Sequence, residues 1–178
     1  AALKLEHGWR AHVFLQSKHR YPDSRASELV FTREQWKQLL HNPRNLFDPS
    51  NPSNMVKDSS TVKICKSQIT LENGESLPIV CKQALFKNLK KRATKIFLPS
   101  RSMIAWKRGN AMLHRRLPTA RPLAVAERRR WGITLESILI TEYIENAFDL
   151  DTVLTVQMRE MSRRQQREYE RKIIIALA

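Results

Sequence analysis

The sequence predicts an α+β fold, one antiparallel sheet plus one main helix, and three observations predict it. The first is a hairpin across Thr61 to Gln83. Val62, Ile64, Ile69 and Leu71 mark one arm, and Leu77, Ile79 and Cys81 alternate along the other. Between them lies Glu72-Asn73-Gly74-Glu75, and Asn-Gly between alternating apolar runs is a strong short-range hairpin signal. The second is a capped helix from about Arg101 to Arg116, opened by Pro99-Ser100, with Met103, Ala105, Trp106, Ala111, Met112 and Leu113 as its apolar stripe. The third is a pair of strand-like runs, Leu123 to Glu127 and Leu135 to Tyr143. The second run is almost continuously apolar, as a strand buried on both faces would be.

Taken in order, Trp9 to Leu15 reads as a strand, Tyr21-Pro22-Asp23-Ser24 as a turn and Glu28 to Phe31 as a second short strand. Thr32 caps a helix from about Arg33 to Leu40, with Trp36, Leu39 and Leu40 on one side. Asn42 to Asn54, rich in proline and asparagine, reads as loop. Leu85 to Lys95 is strongly basic, the pattern of a solvated face or of a phosphate contact. Pro118 to Pro122 stops the main helix, and Arg128-Arg129-Arg130-Trp131-Gly132 reads as a basic turn. A helical segment is expected near Asp149-Leu150-Asp151 and a longer one from about Ser162 to Leu177. That last helix turns fully apolar without a stop signal, so the chain reads as part of something longer.

Composition narrows the partners. Of 178 residues, 42% are hydrophobic, enough for a core. Lys plus Arg number 32 against 17 acidic residues, a net charge of +15, which favours an anionic partner: nucleic acid, nucleotide phosphate or anionic lipid. Only 4 glycines are present, few for a glycine-rich phosphate loop. Cys65 and Cys81 form no metal-ligand cluster and read as small core residues of a cytosolic protein. No run approaches the roughly 18 apolar residues of a membrane helix, and the N-terminus carries no export signal. The five histidines are scattered, and no nucleophile–base spacing stands out.

One residue invites a functional reading. The strand Pro78-Ile79-Val80-Cys81-Lys82 delivers a single lysine from a hydrophobic run. A lysine is costly to bury unpaired, which points to an anionic partner; the plainer alternative is a lysine leaning into water.

Longer stretches carry a resemblance. Ser100-Arg101-Ser102 is followed by Trp106, Gly109 and Leu113, then by Leu117-Pro118-Thr119-Ala120-Arg121-Pro122-Leu123-Ala124 and Glu127-Arg128-Arg129. With Leu139-Ile140-Thr141-Glu142-Tyr143-Ile144-Glu145-Asn146-Ala147-Phe148-Asp149-Leu150, this order resembles the bacterial lipopolysaccharide core (Kdo and heptose) kinase family, over residues 55–178. The resemblance implies a protein-kinase-like small lobe followed by the first helix of a truncated large lobe. Residues 1–50 would be an N-terminal extension, 51–148 the lobe and 149–178 the start of the helical lobe.

It also implies roles. Lys82 would hold the α- and β-phosphates of ATP as the catalytic strand lysine. Lys57-Asp58-Ser59-Ser60-Thr61 would take the place of the glycine-rich loop, relying on Ser59, Ser60 and Thr61 and their amides. Glu142, Tyr143 and Ile144 would form the hinge that offers backbone groups to adenine, with Thr141 guarding the back of the pocket. Two departures stand out: the main helix has no acidic residue to pair with Lys82, leaving Glu127 as a substitute, and the catalytic loop and magnesium ligands would lie outside this segment. The segment would therefore not catalyse transfer alone, and it offers no metal ligands of its own.

The expected activity is a cytoplasmic, magnesium-dependent kinase lobe acting on an anionic glycolipid or saccharide, associated with the inner-membrane surface through Lys87 to Lys95, Arg115-Arg116 and Arg128 to Arg130. Two alternatives stay open: a pseudokinase or regulatory scaffold of the same fold, and a basic nucleic-acid-binding module. Aromatic residues are only 7% and do not interleave with basic ones, which counts against the latter.

Overall fold

The computed structural model describes residues 1–15, 30–47, 55–71, 74–85, 98–115, 117, 119–145 and 161–177. Ala1–Tyr143 forms one compact unit and Ile144–Ala178 a second. The fold is α+β: a seven-stranded antiparallel sheet and, among the described residues, three α-helices.

In chain order these are β1 (Ala2–Lys4), β2 (Trp9–Val13), α1 (Arg33–Leu39), β3 (Met55–Asp58), β4 (Val62–Thr70), β5 (Ser76–Ala84), α2 (Arg101–His114), β6 (Pro122–Arg130), β7 (Ile133–Glu142) and α3 (Arg163–Leu177). The sheet order is β1-β2-β6-β7-β5-β4-β3. Strands β1 and β2 therefore extend the same sheet as the rest: the 1–50 segment adds to the sheet through the β2–β6 ladder.

The hairpin forms as expected. Residues β4 and β5 pair without a register break from Val62↔Ala84 to Thr70↔Ser76, and Gly74, at φ +82°, supplies the left-handed turn residue. The expected caps form as well. Thr32 Oγ accepts from the Gln35 amide while Gln35 Oε1 accepts from the Thr32 amide, a reciprocal capping box. Ser100 Oγ accepts from the Met103 amide at 3.0 Å. Ser162 and Gln165 repeat the box at the start of α3, where the Gln165 side chain accepts from the Ser162 amide at 3.0 Å.

Several elements depart from the sequence reading. Strands β1 and β3 were not expected, and the Asn42–Asn54 loop contains a 3₁₀ helix, Pro43–Phe47. Strand β6 runs on through Arg128, Arg129 and Arg130, so the turn is Trp131-Gly132 alone. The arginines stay in the ladder because facing carboxylates take two of them: Arg128 pairs with Glu136 across β7, and Arg129 with Glu127 along its own strand. The expected turn at Tyr21, the Glu28–Leu29 strand, the basic run 86–95 and the segment around Asp149 lie outside the described residues.

The two faces of the sheet differ. On one face α1 and the 3₁₀ helix bury the main core: Trp36, Leu40, Phe31 and Phe47 join Val13, Cys65, Ile69, Ile79, Cys81, Ile138 and Ile140. Trp36 is fully buried, and its Nε1 donates to the Phe14 carbonyl at 2.7 Å. Gln35 Nε2 donates to the Thr70 carbonyl, tying α1 to β4. The two cysteines are directly opposite one another in this face and are free thiols. The Cys65 Sγ–H donates to the Leu46 carbonyl at 2.8 Å, while contact with Cys65 and burial push the Cys81 thiol up from its ordinary value.

Helix α2 lies on the opposite face, and small residues bring it close. Ser102 Oγ donates to Ser137 Oγ at 3.0 Å in a buried contact. A Cβ at Gly109 would meet Pro122 Cγ at 2.6 Å. Ser137 opposes Glu127 midway along the β6–β7 ladder, three residues short of the turn, and Pro122 opposes Thr141 at the far end. Helix α2 therefore runs along the strands over β6 and β7. Its inward residues are Ser102, Met103, Trp106, Gly109, Asn110 and Leu113; Ala105, Ala111 and Met112, expected in the stripe, are exposed.

Candidate functional site

Register places the candidate residues, because directly opposed residues share a face and so do residues two apart. Lys82 opposes Ile64 on β4 and Leu139 on β7. Ala84, two residues on, opposes Ser137, which bonds to α2. Lys82 is thus on the α2 face, alternating with buried Ile79, Cys81 and Gln83 on the other. Since α2 lies mainly over β6 and β7 and approaches β5 less, it leaves a ledge along β4 and part of β5. The ledge floor is apolar and half-buried: Val62, Ile64, Val80, Ala84 and Leu139. Lys82 and Lys66 rise from it exposed.

Lys82 makes no hydrogen bond or ion pair among the described residues. Glu127, the expected substitute partner, lies on the same face but is held by Arg129, whose Nε reaches its carboxylate at 3.1 Å. Helix α2 contributes no carboxylate. Lys66 is engaged differently: its Nζ donates to Tyr143 Oη at 2.9 Å and lies 4.2 Å from the Tyr143 ring centroid.

At one end of the ledge is the β3–β4 turn. Lys57 and Asp58 belong to β3, so the turn is Ser59-Ser60-Thr61. Ser59 is used to close it: its amide and its hydroxyl both donate to the Val62 carbonyl, and its Oγ accepts from the Val62 amide at 3.2 Å. Ser60 and Thr61 are exposed, and the Thr61 carbonyl accepts from the Leu85 amide at 2.9 Å.

At the other end is the stretch after β7. Thr141 is half-buried opposite Val80 and Pro122. The Glu142 amide donates to the Arg121 carbonyl and the Tyr143 amide to the Pro78 carbonyl. Neither amide is available to a ligand; Ile144, the third expected hinge residue, is exposed and belongs to the second unit. From the level of Glu142, opposite Ile79, to Lys82 is three residues. From Lys82 to Ala84, beside the turn, is two more. At about 3.3 Å per residue the ledge spans roughly 17 Å.

An apolar floor with one unpartnered ammonium and hydroxyls at one end suits an elongated molecule with a flat apolar part and an anionic part. Among the described residues no group of three or more His, Cys, Asp or Glu comes together. No family model matches the chain, and no curated protein matches it. Sequence reasoning missed Lys66, Ile64 and Leu139 as neighbours of Lys82, because only strand register brings them together.

Away from the ledge, Glu136 is paired within the fold. Arg44 Nε donates to Glu136 Oε2 at 2.9 Å, Arg128 pairs with the same carboxylate, and the Arg44 hydrogen bond holds that carboxyl below the usual carboxylate range against the effect of its partial burial. In the second unit, Arg163, Arg164, Arg167, Arg171 and Glu168 line an open depression of about 540 Å³ along α3. No helix among the described residues is long and apolar enough to cross a membrane.

Proposed function

We propose that the ledge is the ATP-binding face of a protein-kinase-like small lobe, in a phosphotransferase that phosphorylates a sugar hydroxyl of a lipopolysaccharide-like glycolipid. The observation that carries the reading is the Lys82 ammonium, exposed at the centre of an apolar floor with no acidic partner among the described residues. A lone cation held above apolar carbons fits a ligand that joins an aromatic ring to a phosphate chain.

In this reading Lys82 holds the α- and β-phosphates, and the Ser60 and Thr61 hydroxyls border the phosphate end. Val80, Ile64 and Leu139 receive the adenine face. Thr141 closes the back, and the carbonyls of Glu142 and Tyr143, with Ile144, offer the hinge contacts. ATP, when bound, supplies the phosphoryl group, and Mg2+ neutralises charge on it. The reading assigns the magnesium ligands and the catalytic base to residues outside those described. It also assigns the protein to the cytoplasmic side of the inner membrane, where such a glycolipid is presented.

A second reading has its own observation. The helix that would supply a carboxylate to Lys82 has none, and Glu127 is taken by Arg129. This favours a scaffold of the same fold that binds nucleotide without transferring phosphate. The two separate in one assay: full-length protein, ATP labelled at the γ-phosphate, magnesium and delipidated lipopolysaccharide core saccharide. Label appearing in the saccharide supports the kinase. Nucleotide binding with no transfer to any saccharide acceptor supports the scaffold, and absence of nucleotide binding removes both.

A further inference from the structure

The β6–β7 turn presents a feature for which the ledge has no use. Arg130 opposes Ile133, so Trp131 and Gly132 form a two-residue turn. Both have positive φ, 51° and 79°, the geometry that matches the twist of a hairpin and that normally selects Asn-Gly. Gly132 adopts it without strain. A tryptophan in the left-handed region is disfavoured by its Cβ. Burial gives nothing back, since Trp131 is 82% exposed. Among the described residues the Arg130 guanidinium lies over its ring, 4.5 Å from the centroid. A strained backbone thus displays the largest apolar side chain at the tip of a hairpin.

The surroundings give the tip a chemistry. Behind the tip Leu98, 53% exposed, is held by its carbonyl, which accepts from Arg129 Nη2 at 3.3 Å on the side of Arg129 that also reaches Glu127. The register Lys4↔Arg10↔Glu127 sets two exposed cations in a row on the α2 face, roughly 10 Å along the strands from the level of Arg130. Arg130 alternates onto the opposite face, so the cations flank the tip from both sides. Arg128 and Arg129 are neutralised by Glu136 and Glu127, whereas Lys4, Arg10 and Arg130 have no acidic partner among the described residues. An apolar tip with a basic collar is the arrangement of an interfacial membrane contact. The indole sits at headgroup depth, and the cations meet lipid phosphates.

We propose that the β6–β7 tip is a membrane-contact site, with Trp131 seated in the headgroup layer of an anionic bilayer and Arg130, Arg10 and Lys4 on its phosphates. A single aromatic fits this better than a nucleic-acid strand, which takes a series of stacking platforms. The site deepens the membrane association already expected through Arg128 to Arg130, moving its centre to Trp131, and shares with the proposed function the expectation of a lipid-borne acceptor. It uses neither Lys82 nor nucleotide, so each reading can fail alone.

The test is co-sedimentation of the full-length protein with vesicles, of phosphatidylcholine alone or with about a third phosphatidylglycerol, without nucleotide. The wild type should bind the anionic vesicles and leave the neutral ones. Trp131→Asn should lower partitioning about tenfold or more while raising the melting temperature, because asparagine tolerates the left-handed turn. That opposite movement of binding and stability separates a lost contact from lost folding. Arg130→Gln should weaken binding at low salt and matter little at high salt. The proposal is overturned by wild type that ignores anionic vesicles, or by Trp131→Asn that binds them equally well. It is overturned in favour of nucleic acid if the Trp131→Asn loss is confined to a single-stranded oligonucleotide.

Discussion

Replacing Gly109 by alanine sets two well-known effects against each other. Alanine is favoured over glycine in a helix interior by about 1 kcal/mol, and Gly109 sits in the middle of α2, so propensity alone predicts stabilisation. The sheet predicts the reverse. The added Cβ would lie 2.6 Å from Pro122 Cγ, whereas carbon atoms rest at about 3.5–4.0 Å. The neighbour cannot yield cheaply, because the proline ring is closed on its own backbone and Pro122 is paired to Thr141 in the ladder. Helix α2 must therefore retreat by roughly 1 Å from β6, loosening the Ser102–Ser137 contact and the cover over Val125. Overpacking of this kind costs about 1–3 kcal/mol. With the cost at about 2–3 kcal/mol, the upper part of that range for a neighbour that cannot yield, the variant should be about 1–2 kcal/mol less stable net of propensity, a fall of roughly 2–8 °C in melting temperature for a domain of this size. Thermal and urea unfolding measure it, with Ala111→Gly on the exposed side of α2 as the propensity control. A Gly109→Ala protein as stable as wild type, or more so, would refute the close approach of α2 to β6.

Two further outcomes follow from the buried and paired groups. Glu136 is held below the usual carboxylate range, so its ion pairs stabilise the fold fully above that range and are lost as pH falls through the lower, folded-state value. Glu136→Gln should cost about 1–2 kcal/mol at neutral pH, and the gap to wild type should close below about pH 4 in urea titrations; a gap that persists in acid would contradict the ion-pair account. Cys65 and Cys81 are 1% and 0% exposed, and Cys81 is pushed further from its thiolate. Alkylation by a maleimide should therefore track global unfolding, and rapid labelling of the native protein would contradict the packing described for that face.

Elements with local chemical signatures were legible in the sequence. Thr32, Ser100 and Gly74 of the hairpin turn each act within a few residues, and each stands where expected. Edge strands were not. Strand β3 reads Met55-Val56-Lys57-Asp58, mostly exposed, and lacks the alternation that a one-sided core imposes, because little packs on it. The α2 stripe was misread for a physical reason. Close helix–sheet packing here uses Ser102, Gly109 and Asn110, small or polar residues that an apolar count passes over, while Ala111 and Met112 face outward. The arginines of β6 suggested a turn because Glu136, the partner of Arg128, becomes a neighbour only through pairing, and Glu127 meets Arg129 only once the strand is extended. At the site, the alternation Ile79, Cys81, Gln83 already puts Lys82 on the other face. What register alone supplies is the floor of Ile64 and Leu139 around it, and the engagement of the Ser59, Glu142 and Tyr143 amides in the fold itself.

The measurement that tests the central claim most directly is thermal shift of the full-length protein with ATP and magnesium, wild type beside Lys82→Ala. Lys82 is exposed and makes no hydrogen bond or ion pair among the described residues, so its removal should alter stability by no more than about 0.5 kcal/mol, and the unliganded proteins should melt together. Nucleotide at about a hundred times its dissociation constant stabilises by about 2.7 kcal/mol, roughly 5–10 °C here. The account predicts that rise in wild type and its loss in the variant; an equal rise in both, or none in wild type, would contradict the role given to Lys82.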